Sequence, residues 1–145
     1  MPSKEPIAFP DLGTTPFRVV WGAGSKGRFE GKEFFESECS EDQASKFFAA
    51  FKMVAQYGPD FRMPSVFKYP MKHTDGLGEF RTFQKRLYFF RSGADFVITN
   101  GATKKKDETD QRDLDRANRI RREIGELEKA DSRSPLTPTA RGKRR

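Results

Sequence analysis

The chain has 145 residues, 34% of them hydrophobic and 15 of them Phe, which is enough apolar area for one small core and too little for two domains. A single cysteine, Cys39, excludes an internal disulfide and a cysteine-based zinc site, and no apolar run approaches the roughly 18 residues of a membrane span. The formal charge is +7 and unevenly spread: residues 61–106 carry 10 basic and 3 acidic side chains, residues 131–145 carry 5 and 1, and the remaining stretches are slightly acidic. A field focused in this way suits a polyanion such as RNA, or serves as a solubilising surface.

Residues 1–16 hold four prolines and little periodicity, and read as an extended lead-in. Lys4, Glu5 and Pro6 are unlike the apolar start of a signal peptide, so a cytoplasmic setting is expected. Phe17–Ala23 is β-rich and predicts the first strand. The glycine-rich stretch Gly22–Gly31 lacks phosphate-loop spacing and predicts a turn. The first helix with clear signals spans about 41–57. Ser40 and Gln43 form a capping box, and Ala44, Phe47, Phe48, Phe51, Val54 and Ala55 recur at helical spacing. Gly58-Pro59 stops it.

Prolines 59, 64 and 70 predict an irregular segment. Three short strands follow, about 77–83, 86–91 and 95–100. The connections, at Gln84-Lys85 and Ser92-Gly93, are short enough to force antiparallel pairing. In the middle strand Leu87 and Phe89 face one way and Tyr88 and Phe90 the other, as in a central strand buried on both faces.

A second helix is predicted over about 110–129, capped by Thr109 or Asp110, with Leu114, Ala117, Ile120, Ile124 and Leu127 as its buried stripe. Its other faces mix arginines with acids, the pattern of a solvated helix. Residues 131–145 are basic and rich in Ser, Thr and Pro, and are expected to be disordered. The result is one α+β domain over 17–130, between the lead-in and the tail.

Four blocks, in order, carry a family resemblance. Gly58, followed by Lys72-His73-Thr74-Asp75-Gly76-Leu77-Gly78-Glu79-Phe80-Arg81, resembles the G…K-x-L-x-D-G-L-x-E-L-R block of HigB-type and phage-derived toxin-like proteins. Arg86 to Phe90 is similar to that family's R-V-L-Y-F-F strand, and Ile98 to Lys105 to its last strand and lysine pair. Asp113 to Arg119 resembles the E-I-x-x-A-x-x-R of its closing helix. The chain departs from the family at Asn100, where a histidine is usual, and at Ala102, often an aromatic. The family's first helix is shortened or replaced by Phe29–Glu38.

The resemblance to the RelE/HigB superfamily implies a small antiparallel-rich sheet with a helix from the N-terminal half and a C-terminal helix packed on it. It implies a toxin that cuts messenger RNA on the ribosome without metal or other cofactor, by attack of a ribose 2′-OH on the adjacent phosphate. A cognate antitoxin, often a helix-turn-helix protein, would silence it. A fold that keeps RNA binding and loses the chemistry, as in a phage-derived accessory protein, is the alternative, favoured by Asn100 and Ala102. Such cleavage needs a proton acceptor, cations for the phosphorane charge and an acid for the leaving oxygen.

Arg86, at the family's arginine position, is the first candidate, since its fork can bind two phosphate oxygens. Arg81 is the second, unless it pairs with Glu79. Glu79 is a possible base, although Arg81 beside it should lower its pKa. His73 has the right intrinsic pKa for proton transfer, or is incidental to its loop. Lys72, Lys104, Lys105 and Lys106 are candidates for RNA contact, or a solvated charge run. Tyr88 could stack on a base or pack in the core.

Overall fold

The computed structural model describes residues 2–105 and 110–132. Its architecture is α+β, a six-stranded sheet with helices on both faces. The strands are β1 (Lys4–Pro6), β2 (Arg18–Gly22), β3 (Phe67–Lys68), β4 (Leu77–Thr82), β5 (Lys85–Ser92) and β6 (Asp95–Thr103). Their spatial order is β1-β2-β6-β5-β4-β3. Only β2 and β6 run parallel among these pairs, with Val19 opposite Phe96; the others are antiparallel.

Two helices follow β2, α1 (Glu30–Glu38) and α2 (Glu41–Tyr57), and cover one face of the sheet. The expected capping box is formed: Gln43 N–H donates to Ser40 Oγ at 3.1 Å, and Ser40 N–H donates to Gln43 Oε1 at 2.9 Å. Phe47, Phe51 and Val54 are buried against Phe80, Leu87 and Phe89 from the sheet. Gly58 ends the helix with φ of 61°, and a Cβ there would lie 2.4 Å from the Phe17 ring. Glycine therefore answers both the left-handed backbone and the close approach.

The long helix α3 (Gln111–Ser132) covers the opposite face. Asp110 caps it, accepting from Arg112 N–H at 2.9 Å; Thr109, the other cap candidate, lies outside the described residues. Leu114, Ala117, Ile120 and Ile124 pack on Val20, Leu77, Tyr88, Phe90 and Val97. Leu127, expected in that stripe, is instead 37% exposed, and its neighbour Glu128 reaches Lys4 of β1 at 2.8 Å. Side chains alternate faces along β5 as expected, Leu87 and Phe89 toward α2 and Tyr88 and Phe90 toward α3.

Several local features differ from the sequence pattern. The lead-in contributes β1 to the sheet edge, the proline-rich segment contributes β3 to the other edge, and the region after the glycine-rich turn forms α1. The β4–β5 turn residues are Phe83-Gln84, not Gln84-Lys85, with Phe83 at φ of 51°. In β6 a bulge leaves Thr99 opposite no partner: Tyr88 pairs with Asn100, and Phe89 with Ile98. The basic tail was expected to be disordered from residue 131, but α3 continues through Asp131 and Ser132; residues 133–145 lie outside the described residues. Among the described residues no helix is long and apolar enough to cross a membrane.

Candidate functional site

On the face covered by α3 the apolar packing gives way, at one end of the sheet, to a polar cluster. Two rows of register partners build it. Lys68, Glu79, Tyr88 and Asn100 stand side by side across β3, β4, β5 and β6. Next to them run Arg81, Arg86 and Ala102. The bulge at Thr99 is what brings Asn100 into the row, because one extra residue reverses the alternation of faces beyond it.

Glu79 is at the centre. Its Oε2 lies 3.2 Å from Arg81 Nε and 3.8 Å from Arg86 Nε. Burial raises its pKa, against the opposing pull of Arg86, Arg81, Lys68 and Lys104. This corrects the expectation that Arg81 would lower it: the carboxylate is nearly enclosed, and loss of solvation outweighs the cations. A carboxylate held above its ordinary range is a better proton acceptor near neutrality than a depressed one.

The two arginines differ in access. Arg86 is 4% exposed, and its Nη1 donates to the carbonyls of Phe83 at 2.7 Å and Lys85 at 3.0 Å, clasping the hairpin turn. Arg81 keeps 20% of its side chain exposed. Of the two guanidinium groups expected to grip phosphate, Arg81 is therefore the one within easier reach of a ligand, and Arg86 braces the turn and faces Glu79 from within.

Of the other candidates, Tyr88 and Lys104 adjoin the cluster but are buried, and Lys105 and His73 are exposed. Tyr88 is fully buried, as core packing requires; its Oη has no hydrogen-bond partner among the described residues, and burial, with Asp113 and Glu79 next, pushes its pKa up. Lys104, expected on a phosphate-gripping surface, is instead 7% exposed and bound to Asp113 of α3 at 2.7 Å. Its backbone N–H is also tied, to Gln84 O at 2.6 Å. Asn100 Nδ2 donates to the Asp113 carbonyl at 3.2 Å, so both residues seat the first turn of α3. Lys105 is exposed, and Lys106 lies outside the described residues. His73 is exposed, with φ of 62°, in the loop before β4.

Beside the cluster, at the β3 edge, opens a cleft of about 570 Å³, the size of a small-ligand site. Glu79 lines it and so belongs to both cleft and cluster. Apolar lining comes from Met63, Tyr69 and Met71, and the exposed cations Arg62, Lys68 and Lys72 line it as well. Lys72 was anticipated. Arg62, Lys68 and Tyr69 were not, although a cation-and-aromatic alternation from Phe61 to Lys72, broken by prolines, was a readable signal for them.

Comparison with known proteins returns a family described as Phage derived protein Gp49-like (DUF891), whose model matches residues 35–122, more than half of the chain. The match runs from α1 through the first half of α3 and includes Glu79, Arg81 and Arg86. No curated protein matches.

Proposed function

We propose, from the premise that this chain belongs to the Gp49-like family of phage-derived proteins, that it is the RelE/HigB-type toxin of a toxin–antitoxin pair and cleaves messenger RNA on the ribosome. The observation that carries this reading is the meeting of Glu79, Arg81 and Arg86 on one sheet face beside an open cleft. In this scheme Glu79 takes the proton of the attacking 2′-OH. Arg81 receives the charge that builds on the phosphorane oxygens. Arg86 is a positioning residue, holding the β4–β5 turn and the Glu79 carboxylate. Lys72 or His73, both exposed on the neighbouring loop, supplies the proton to the leaving 5′ oxygen. Lys105 contacts RNA or ribosome outside this centre. A cognate antitoxin, in type often a helix-turn-helix protein, covers the basic surface, and the pair acts in the cytoplasm.

A second reading, RNA binding without cleavage, is favoured by one specific observation. Asn100, where the resemblance expects a histidine, is buried and occupied with the α3 backbone, and Ala102 offers no ring. Inducible expression with mapping of RNA ends separates the two. The toxin reading expects growth arrest with new 5′ ends in messages, both abolished by Arg81→Ala in a variant that still folds. Intact messages and continued growth with the wild type would rule it out.

A further inference from the structure

Beyond Glu79 and Lys72, the cleft at the β3 edge has lining residues that the cleavage scheme does not use. Met63, 49% exposed, and the partly buried Tyr69 and Met71 offer polarizable and aromatic surface, while Arg62 and Lys72 carry exposed cations beside it. Tyr69 is fixed on one side by rings: its centroid lies 5.5 Å from that of Phe89 and 6.1 Å from that of Phe96. A ring held in this way presents a rigid surface at little conformational cost. Apolar walls flanked by cations suit a flat heteroaromatic group attached to a phosphate chain, because bases stack on aromatic surface while the backbone follows positive charge. Since Glu79 lines the cleft and also faces Arg81, a strand with its phosphodiester at Arg81 has the cleft within reach of an adjoining nucleotide.

We propose that the cleft lined by Met63, Tyr69, Met71, Arg62 and Lys72 seats one unstacked nucleobase of single-stranded RNA, next to the phosphodiester held at Arg81. The inference rests on the RNA-cleavage reading for the direction of the strand, and it assigns the cleft a ligand that reading does not require. Met63 and Tyr69 contact the base; Arg62 and Lys72 contact its flanking phosphates. Recognition is of the ring face, so it tolerates different bases and requires that the nucleotide be unpaired.

The test uses the full chain and fluorescein-labelled oligoadenosine hexamers whose sugars are 2′-fluoro, so that no attacking hydroxyl is present. A single abasic residue is moved along the hexamer and binding is followed by anisotropy. One position should show an affinity loss of roughly tenfold, the scale of one base–aromatic stack. That penalty should shrink to about twofold or less in Met63→Ala, a change at an exposed side chain, and in Tyr69→Ala. Lys72→Glu should weaken all hexamers alike and leave the penalty in place. A uniform walk, a penalty that survives Met63→Ala and Tyr69→Ala, or tight binding unaffected by Lys72→Glu would each overturn the proposal. Binding of this kind without growth arrest would remove the nuclease and keep the cleft; arrest with a uniform walk would do the reverse.

Discussion

Arg81 and Arg86 stand directly opposite each other across the β4–β5 ladder, and the Glu79 carboxylate faces both. Like charges in register oppose strand pairing, so a carboxylate at this point stabilises the ladder as well as offering a proton acceptor. Two forces act on that carboxylate with opposite sign. The guanidinium groups favour its ionised form, and enclosure in protein disfavours it.

Enclosure prevails, and this sets a pH dependence. With its pKa raised on folding, Glu79 contributes stability below its unfolded pKa, roughly 4.3, and that contribution is lost as pH rises through the folded value. Glu79→Gln removes the titration. Urea unfolding of both proteins at pH 4 and pH 7 should therefore show the variant gaining on the wild type at the higher pH. A variant that loses ground instead would mean that Arg81 and Arg86 dominate and that Glu79 is a weak base.

Adjacent lysines should behave differently. Lys104 is buried in an ion pair with Asp113 that anchors the start of α3, whereas Lys105 is exposed. Lys104→Ala leaves Asp113 without its ammonium partner and should cost about 3 kcal/mol, at the lower end of the scale for breaking a buried pair. Lys105→Ala should change stability by less than about 0.5 kcal/mol. RNA affinity measured at two salt concentrations should fall for Lys105→Ala, with a shallower salt slope. Equal stability losses in the two variants would contradict the burial difference.

That contrast marks where sequence pattern stops being informative. Ser40-x-x-Gln43, Gly58 and the alternation from Leu87 to Phe90 are local signals, and α2 and β5 follow from them. Glu79, Arg81 and Arg86 could be grouped because a two-residue turn forces their strands together. The burial of Lys104 depends on Asp113, nine residues later and on another element, and nothing in Lys104-Lys105-Lys106 distinguishes the first lysine. The place of Asn100 depends on a bulge at Thr99, for which Gly101 is an ambiguous signal because a glycine there also marks the close approach of Phe34. β1 and β3 have three and two residues, too few for a period-2 pattern to register.

Gly78 tests how closely the β3 edge is built. A Cβ there would lie 2.3 Å from the Phe89 ring and 2.8 Å from the Lys68 carbonyl. The ring can shift a little, but the carbonyl belongs to the backbone of β3, which pairs with β4 at this point. Gly78→Ala should lower unfolding free energy by about 1–3 kcal/mol, the range for overpacking. It should also weaken hexamer binding, since Lys68 and Tyr69 line the cleft. Unchanged binding alongside lost stability would separate the cleft from the β3–β4 pairing.

Where β1, β2 and β6 meet, the pH effect has the other sign. Asp95, at the start of β6, accepts from Arg18 Nε at 2.8 Å and Nη2 at 2.7 Å, and Lys4 Nζ lies 3.5 Å away. These contacts join β1, β2 and β6, and the Arg18 hydrogen bonds hold the Asp95 pKa below the ordinary carboxylate range. A depressed folded pKa contributes stability above the unfolded value, roughly 3.9, and loses it as pH falls through the folded value. Because Arg18 is 54% exposed, solvent screening limits the effect, and Arg18→Ala should cost only about 1 kcal/mol at pH 7. The cost should shrink as pH falls from 7 toward 2 and Asp95 takes up its proton. Urea midpoints that stay equally far apart at both pH values would assign the contribution of Arg18 to packing of its stem on the sheet edge.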